Sequence, residues 1–536
     1  MTVFLIFIGL VIVSCTLLGK LTGKMGVPVL VAFLALGMLF GVDGLGIDFE
    51  NFDIAEQIST ICLIFIMFYG GFGTNWKEGK KVAVKAGLLS SVGVVITAGL
   101  TAIFCYFVLK MESYEALLMG SVIASTDAAT VFNILRSKKL GLRYGTSSLL
   151  ELESGSNDPW SYMLTVIVLQ IAETASAGGG ATASEFVILI VSQLAFGVGI
   201  GAAISVGAKM LFQKVNVNGV GSMVMVAVAL LAYAVPTAVG GNGYLAVYIV
   251  GIVLGNIQLH EKKELVNFFD GITGLLQIVL FFLLGFLATP VDMIPVVPAA
   301  AAVMLFLTFV ARPIAVMLIM TPFKATWRQQ AVIMISGFRG AASIAFAILI
   351  KLSGLMTDND IFHITFVIVL LSIALQGSLL PVLAKKLKMI DEAENVLKTF
   401  SDYSTETELQ FLSSVVVPGH AWIGKQIKKI TFPPDIRVVM ILRGEERIIP
   451  KGDTEINEGD KLIFIGTEFT GVGGVILNEV RIDKDDSENG KKIAEITLGD
   501  DRIVLIKRMS KKGMVSIVPN GQITIRENDI LVMASI

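Results

Sequence analysis

The chain has 536 residues, of which 54% are hydrophobic and only 16% charged, and its mean hydropathy is +0.78. Soluble chains carry charge at roughly 25% of positions, so this composition excludes an ordinary soluble protein and predicts a polytopic α-helical membrane protein in contact with the lipid bilayer. A formal net charge of −2 argues against a nucleic-acid partner. Cys15, Cys62 and Cys105 are odd in number, lie in apolar runs and lack metal-ligand spacing. They read as small packing residues, not as a disulfide framework or zinc site.

Thirteen apolar segments begin near residues 2, 26, 56, 83, 114, 149, 184, 219, 243, 265, 293, 329 and 360. Most approach the roughly 20 residues that cross a hydrocarbon core; the run from Gly243 to Asn256 is short, and its context makes it a span. The first run has no basic residue before it and no small-residue cleavage site after it, so it reads as a span and not as a cleaved signal. Lysine and arginine concentrate in alternate connections: Lys20 and Lys24; Lys77, Lys80, Lys81 and Lys85; Arg136, Lys138, Lys139 and Arg143; Lys209 and Lys214; Lys262 and Lys263; Lys324 and Arg328; Lys385, Lys386 and Lys388. The opposite connections hold Lys110 and Lys351 among acids such as Asp43, Asp48, Asp53 and Asp358. The bias predicts an N-terminus outside and a C-terminus in the cytoplasm.

The membrane region repeats itself. Gly37 and Gly41 match Gly251 and Gly255, 214 positions later (251 − 37), and the Phe-rich run ending at Gly70 matches the one ending at Gly285, 215 later (285 − 70). Asp127 and Arg339 are 212 apart (339 − 127). Corresponding spans are separated by an odd number of crossings, so the two copies face opposite ways, the inverted-repeat plan of secondary transporters.

Polar chemistry is confined to short stretches of this apolar sequence. Ser125, Thr126 and Asp127 interrupt the fifth span, and Ser336-Gly-Phe-Arg339-Gly340 interrupts its counterpart, the twelfth. Two broken helices in corresponding places bring half-helix ends toward one point, where Asp127 and Arg339 can balance the dipoles. At the start of the sixth span stand Glu153, Ser154, Asn157 and Asp158. Glu153 and Asn157 share a helical face and Asp158 is turned about 100° away, so the two carboxylates can serve different partners. An acid in such a place can hold either a proton or a metal ion, and mutually exclusive binding is all an exchanger needs.

Thr126-Asp127, Glu153-Ser-Gly-Ser-Asn157-Asp158, Arg312 and Gly337-Phe-Arg339-Gly-Ala together resemble the cation:proton antiporters of the NhaP-type branch, over roughly residues 1 to 388. The resemblance implies an NhaA-like antiporter fold in which Asp158 is the exchanging carboxylate and holds the monovalent cation. It also implies that Ser154, Thr126, Asp127 and Asn157 line or support the ion site, that Glu153 pairs with Arg312, and that Arg339 neutralises the crossing of the broken helices. Asn157 in place of a second Asp implies one proton per cation and an electroneutral cycle. Several members carry an acid before the Gly pair of the third span, where this chain has Tyr69. Asp270, His260 and His363 read as solvated or capping groups.

From Lys388 onward the chain changes character. Residues 389 to 404 are a polar, acidic linker, and alternating hydrophobic residues with turn signals predict soluble α/β structure beyond. Gly424-Lys-Gln-Ile-Lys-Lys-Ile-Thr431 is echoed 66 positions later (490 − 424) by Gly490-Lys-Lys-Ile-Ala-Glu-Ile-Thr497. This predicts two related units, 405–469 and a weaker copy at 484–536. A short helix after Gly-Lys, two or three strands, then Gly-Asp-Lys-Leu is similar to the TrkA-C module of regulators of potassium conductance. That resemblance implies a regulatory tail, with a cyclic dinucleotide such as cyclic di-AMP or another small anion as its ligand and a homodimer as the assembly; a ligand-free assembly domain is the alternative. Because such modules accompany potassium systems, the combined resemblance implies an antiporter of the bacterial inner membrane that exchanges cytoplasmic K⁺ for external H⁺, with Na⁺/H⁺ exchange as the alternative. A potassium channel gated by the tail is a rival, since Val239-Gly-Gly-Asn-Gly-Tyr244 is similar to a selectivity filter. No nucleophile and base, metal cluster or phosphate loop points to an enzyme.

Overall fold

The computed structural model describes residues 2–25, 28–49, 51–127, 141–176, 183–214, 219–257, 259, 262–355, 357–391, 409–418, 420, 422–432, 436–444, 446–467, 476–484, 486, 488–496, 502–510, 513–517 and 523–535. The chain divides into two compact units, Met1–Thr405 and Glu406–Ile536. The first unit is helical: α1 (Thr2–Met25), α2 (Val29–Phe40), α3 (Phe52–Gly73), α4 (Ala83–Ser90), α5 (Val92–Phe107), α6 (Ser113–Val122), α7 (Thr146–Ser176), α8 (Ala183–Lys214) and α9 (Gly221–Ala238). There follow α10 (Gly243–Gly255), α11 (Lys262–Leu287), α12 (Pro290–Phe306), α13 (Arg312–Met320), α14 (Trp327–Ile335), α15 (Ala341–Leu352), α16 (Ile361–Leu371) and α17 (Gly377–Lys386). Eight helical stretches among the described residues are long and apolar enough to cross a membrane by length and composition, and α2, α10 and α15 are shorter apolar helices. Arg136, Lys138, Lys139, His260 and the linker from residue 392 lie outside the described residues.

Two helix pairs pack backbone to backbone, and glycine makes this possible. Gly37 of α2 lies against the Phe282 carbonyl of α11, and Gly285 of α11 lies against Leu34 of α2. In the same way Gly71 of α3 meets Tyr248 and Gly251 of α10, while Gly251 and Gly255 meet Phe68 and Phe72 of α3. A Cβ at any of these glycines has no room, so the small residues set helix separation as they do in membrane bundles generally. Phe68, Phe72 and Phe269 fill the core beside these contacts. The three cysteines are buried and free, as packing residues.

Two helices pass through single π-helical turns, Leu307–Ala311 between α12 and α13 and Ser372–Gln376 between α16 and α17. The side chains of the two turns meet: Gln376 Nε2 donates to Thr308 Oγ1 at 2.8 Å. Such turns re-aim the residues beside them, and Arg312 and Ser372 are among those re-aimed. A two-residue ladder joins β1 (Gly141–Leu142) to β2 (Ile390–Asp391), tying the end of α17 to the approach to α7.

The second unit holds two four-stranded antiparallel sheets of like topology. One has the order β3 (Leu409–Val415), β6 (Lys461–Thr467), β4 (Arg437–Arg443), β5 (Glu446–Ile448). The other has β7 (Ile476–Arg481), β10 (Ile530–Ser535), β8 (Arg502–Ser510), β9 (Gly513–Ile517). The expected short helix after each Gly-Lys is a 3₁₀ turn, Ile427–Lys429 and Ile493–Glu495, so the described tail is strands and turns, not the α/β structure expected. In both units the backbone becomes extended directly after the turn, at Ile430 and at Ile496. Each sheet is closed by one arginine and one buried acid. Arg443 grips both oxygens of Asp460 at 2.8 Å, and Arg508 grips Asp529 at 2.8 and 2.6 Å. The acids also accept the N–H groups of Asn457 and Arg526.

This packing makes two predictions. Gly285→Leu must push α11 off α2, at a cost of about 1–3 kcal/mol, and should lower the melting temperature of the detergent-solubilised protein, whereas Gly87→Ala, on an open helix face, should not. In the tail, the hydrogen bonds from Arg443 hold the Asp460 carboxyl below its ordinary range, so the pair contributes fully above the unfolded carboxyl value and its contribution is lost as pH falls through the folded one. Arg443→Ala should therefore speed amide exchange in residues 437–467 at neutral pH, by an amount reflecting about 1–3 kcal/mol for a buried acid deprived of its donors, and the difference from wild type should shrink as the buffer is acidified below about pH 4.

Candidate functional site

Near the middle of the first unit the chain leaves helical form twice. α6 ends at Val122, and residues 125–127 run on without helical structure. α14 ends at Ile335, and the chain is non-helical from Gly337 until α15 starts after its cap, Gly340. The two stretches are bonded to each other: Asp127 donates its backbone N–H to Phe338 O at 2.8 Å. Freed carbonyls at the end of α6 would be costly in an apolar interior. Arg339 answers them, donating from Nη1 to Ala124 O at 2.8 Å and Ser125 O at 2.7 Å. The Arg339 N–H is taken by Ser372 Oγ at 3.1 Å, in the second π-turn. The Asp127 carboxyl packs against Gly340, at the N-terminal end of α15. A cation thus sits on a helix C-terminus and an anion beside a helix N-terminus, each the favourable sign.

α7 supplies the remaining groups, divided by helical phase. Glu153, fully buried, pairs with Arg312 Nη1 at 2.5 Å. Ser154 and Asn157 turn toward the break: Ser154 Oγ lies 3.0 Å from Thr126 Oγ1, and Asn157 Nδ2 donates to the same Thr126 oxygen at 2.5 Å. Thr126, Ser154 and Asn157 are each no more than 2% exposed. Asp158 points elsewhere, accepting a hydrogen bond from Ser125 Oγ. Asp158 and Asp127 are only half-buried, because both face a cavity of about 40 Å³ that Ser125, Gln277 and Gly340 also line. That volume takes water or a partly dehydrated alkali ion, since one water needs roughly 10–15 Å³ on the same measure.

Of the residues singled out in the sequence, Ser125, Asp127 and Asp158 meet at the cavity, Thr126, Ser154 and Asn157 form a brace behind it, and Glu153, Arg312 and Arg339 are structural partners nearby. Gln277 is not among those residues, although a lone amide inside the apolar run of α11 is a visible signal. Tyr69 reaches Asp270, its hydroxyl donating at 3.1 Å to an exposed carboxylate. His363 is neither solvated nor the cap: it is buried, with Nδ1 2.5 Å from Asp360 and Nε2 3.0 Å from Thr289 Oγ1. The cap is Asp360, which accepts the His363 N–H at 3.1 Å. In the filter-like run, Val239–Asn242 form the turn between α9 and α10, and Gly243 and Tyr244 begin α10. Asn242 Oδ1 accepts the Leu245 N–H at 3.0 Å, and Nδ2 donates to Pro159 O of α7 at 2.8 Å, which makes it a helix cap and tether.

Comparison with known proteins places this geometry. The family model for the sodium/hydrogen exchanger, transmembrane, matches residues 9–386, and that for the TrkA-C domain matches residues 412–468. The K(+)/H(+) antiporter NhaP2 of Shewanella oneidensis is 32% identical over 460 residues, covering 84% of this chain and 79% of that one. The K(+)/H(+) antiporter NhaP of Alkalimonas amylolytica is 30% identical over 470 residues, covering 86% and 80%. The sodium proton antiporter MjNhaP1 from Methanocaldococcus jannaschii superposes with a TM-score of 0.64 at 24% identity, over 71% of this chain and 97% of that structure, a likeness of fold. The chain belongs to the sodium/hydrogen exchanger family, in its NhaP-type branch, and carries a TrkA-C domain behind a multi-pass membrane antiporter domain.

Proposed function

We propose that the protein is a secondary antiporter that moves cytoplasmic K⁺ outward in exchange for external H⁺, one for one, with Asp158 as the group that carries either ion. The observation that carries this reading is the division of labour around the cavity. Asp158 and Asp127 face it and are half-buried, while Thr126, Ser154 and Asn157 turn inward onto one another. A carboxylate between a water-sized space and a hydroxyl donor can exchange its proton for a cation without rearranging the scaffold. Ser125 and Asp127 complete the oxygen lining that a hard monovalent cation takes. Glu153 with Arg312 fixes α7 against α13, and Arg339 neutralises the break.

Further features agree with an inverted repeat of thirteen crossings and two broken crossing helices, the N-terminus outside and the C-terminus in the cytoplasm of a bacterial inner membrane. The symmetry that exchanges spans two and three for spans nine and ten carries the α2–α11 glycine contact onto the α10–α3 contact. In the tail, the like sheets with their matching Arg443–Asp460 and Arg508–Asp529 clamps favour a duplicated module that regulates exchange. Cyclic di-AMP or another small anion is its proposed ligand, and a homodimer the proposed assembly. K⁺ is favoured because relatives at 32% and 30% identity bear that name. Na⁺ is the second reading, favoured by the Na(+)/H(+) antiporter ApNhaP of Aphanothece halophytica at 26% identity.

The test is dissipation of a pH gradient in reconstituted vesicles, with K⁺, Na⁺, Rb⁺ and Li⁺ offered separately. Wild type should respond most strongly to K⁺. Asp158→Asn should reduce exchange by at least about 100-fold, the scale of a lost proton-transfer group; wild-type exchange in that variant would refute the assignment.

A further inference from the structure

Glu151 is a second buried acid on α7, only 6% exposed, and neither the cavity nor the Glu153–Arg312 pair uses it. It stands seven residues before Asp158, two helical turns away on the same face. Between them, on that face, lies Gly155. The phenol ring of Tyr248 from α10 lies directly across Gly155, its ring edge and hydroxyl each 2.7 Å from where a Cβ would stand. The absent side chain is therefore what admits the phenol between the two acids. Glu151 stands four residues before Gly155 and Asp158 three after it, so the two acids flank the place where the phenol lies. The Tyr248 hydroxyl is buried and has no hydrogen-bond partner among the described residues. Thr74 Oγ1 reaches Glu151 Oε1 at 3.5 Å from the end of α3.

The basic connections after α3 and before α7, Lys77, Lys80 and Lys81 on one side and Arg143 on the other, put Glu151 toward the cytoplasmic end of the span. The cavity at Asp158 is lined from α3, α11 and α15, and neither Glu151 nor Tyr248 is among its lining residues. Asp158 thus has two neighbourhoods, one for a cation and one made of a phenol and a second carboxyl.

We infer that Glu151 and Tyr248 form the cytoplasmic proton relay of the exchanger, taking the proton from Asp158 when the cation replaces it. This rests on the reading of Asp158 as the exchanging group. In the step, the Tyr248 hydroxyl, unpartnered at rest, closes onto the two acids; the Asp158 O–H bond breaks as its proton passes to the Tyr248 oxygen, and the Tyr248 proton passes to the Glu151 carboxylate. The phenol stays neutral, one proton has moved, and Asp158 is left as the anion that accepts the cation. Glu151 then releases its proton to the cytoplasm, and rotation of the phenol hydroxyl resets the pair.

An antiporter with one shared site also exchanges cation for cation, a mode that moves no proton, and comparing the two modes isolates the relay. The full-length protein is reconstituted, and labelled Rb⁺ uptake is measured against internal K⁺ at equal pH and, separately, against an outward proton gradient. Glu151→Gln and Tyr248→Phe should slow the proton-coupled mode about tenfold, within the range for a lost acid–base group, and leave Rb⁺/K⁺ exchange unchanged. Asp158→Asn should abolish both modes. Equal slowing of both modes by Glu151→Gln and Tyr248→Phe would make the pair a packing element and overturn the relay, as would an unchanged proton-coupled rate. Tyr248→Phe keeps the ring against Gly155, so it carries the test if Glu151→Gln fails to insert. Both modes surviving in Asp158→Asn would remove the underlying site reading instead, whatever the other two variants did.

Discussion

Arg339 on the carbonyls of Ala124 and Ser125 is the interaction on which the site depends. Helices in an apolar interior satisfy their own backbone, so ending one there exposes carbonyls that nothing in lipid can bond. A guanidinium suits this position because it is charged, offers several donors in a fixed plane, and tolerates burial better than an ammonium. With it in place, the chain from Ser125 to Asp127 can remain extended, and the Asp127 N–H can cross to Phe338 O. Without it, α6 has no acceptable end, and the hydroxyl that reaches Asp158 has no fixed position. The break is also braced from outside, through Ser372 on the Arg339 N–H and Gln376 between Ser372 and Thr308. Two π-turns therefore feed one charge.

Much of this is legible in the order of residues alone. Polar residues are so rare in the spans that Asp127, Glu153, Asp158, Arg312 and Arg339 announce themselves, and glycine at repeated offsets marks the close helix contacts. What can be read is identity and spacing along one helix, since a period of 3.6 residues separates the Glu153 face from the Asp158 face. Partnership across helices is not written there. Nothing in the order of residues says that Tyr248 lies over Gly155, or that Asn242 tethers the α9–α10 turn to Pro159. His363 departs from expectation because a histidine near a helix start looks like a cap, whereas Asp360 already caps the helix and leaves the imidazole to pack inward. The tail departs for a related reason: a short run with helical spacing suggests a helix, whereas each run makes a single turn and then extends, at Ile430 and at Ile496.

Pro159 shows how one constraint serves two purposes. A proline cannot donate to the preceding turn and disturbs the ladder around it, yet here it stays within α7, directly after Asp158. Its carbonyl is taken by Asn242, the cap of α10, at 2.8 Å. α10 thus grips α7 on both sides of Asp158, through Asn242 at Pro159 and through Tyr248 at Gly155. A helix too short to be convincing as a span by length is the one that indexes the carboxylate most closely.

The same arrangement bears on which ion the site accepts. Stripping water from a small cation is expensive, and a site compensates mainly with negative charge held at contact distance. The cavity offers two carboxylates, the Ser125 hydroxyl and the Gln277 amide, and where several family members place an acid in the third span this chain has Tyr69. That phenol reaches Asp270, an exposed acid that is not among the residues lining the cavity, and so moves no charge into the site. Local charge at this level favours an ion that gives up its water more readily. On the proposed reading, K⁺ over Na⁺ follows from what the third span lacks, while the proton competes through the same carboxylate and needs only a path out. On the same reading the two requirements fall to different neighbours of Asp158, the cation to the cavity and the proton to the phenol, so that one acid would be reached by both ions and hold only one.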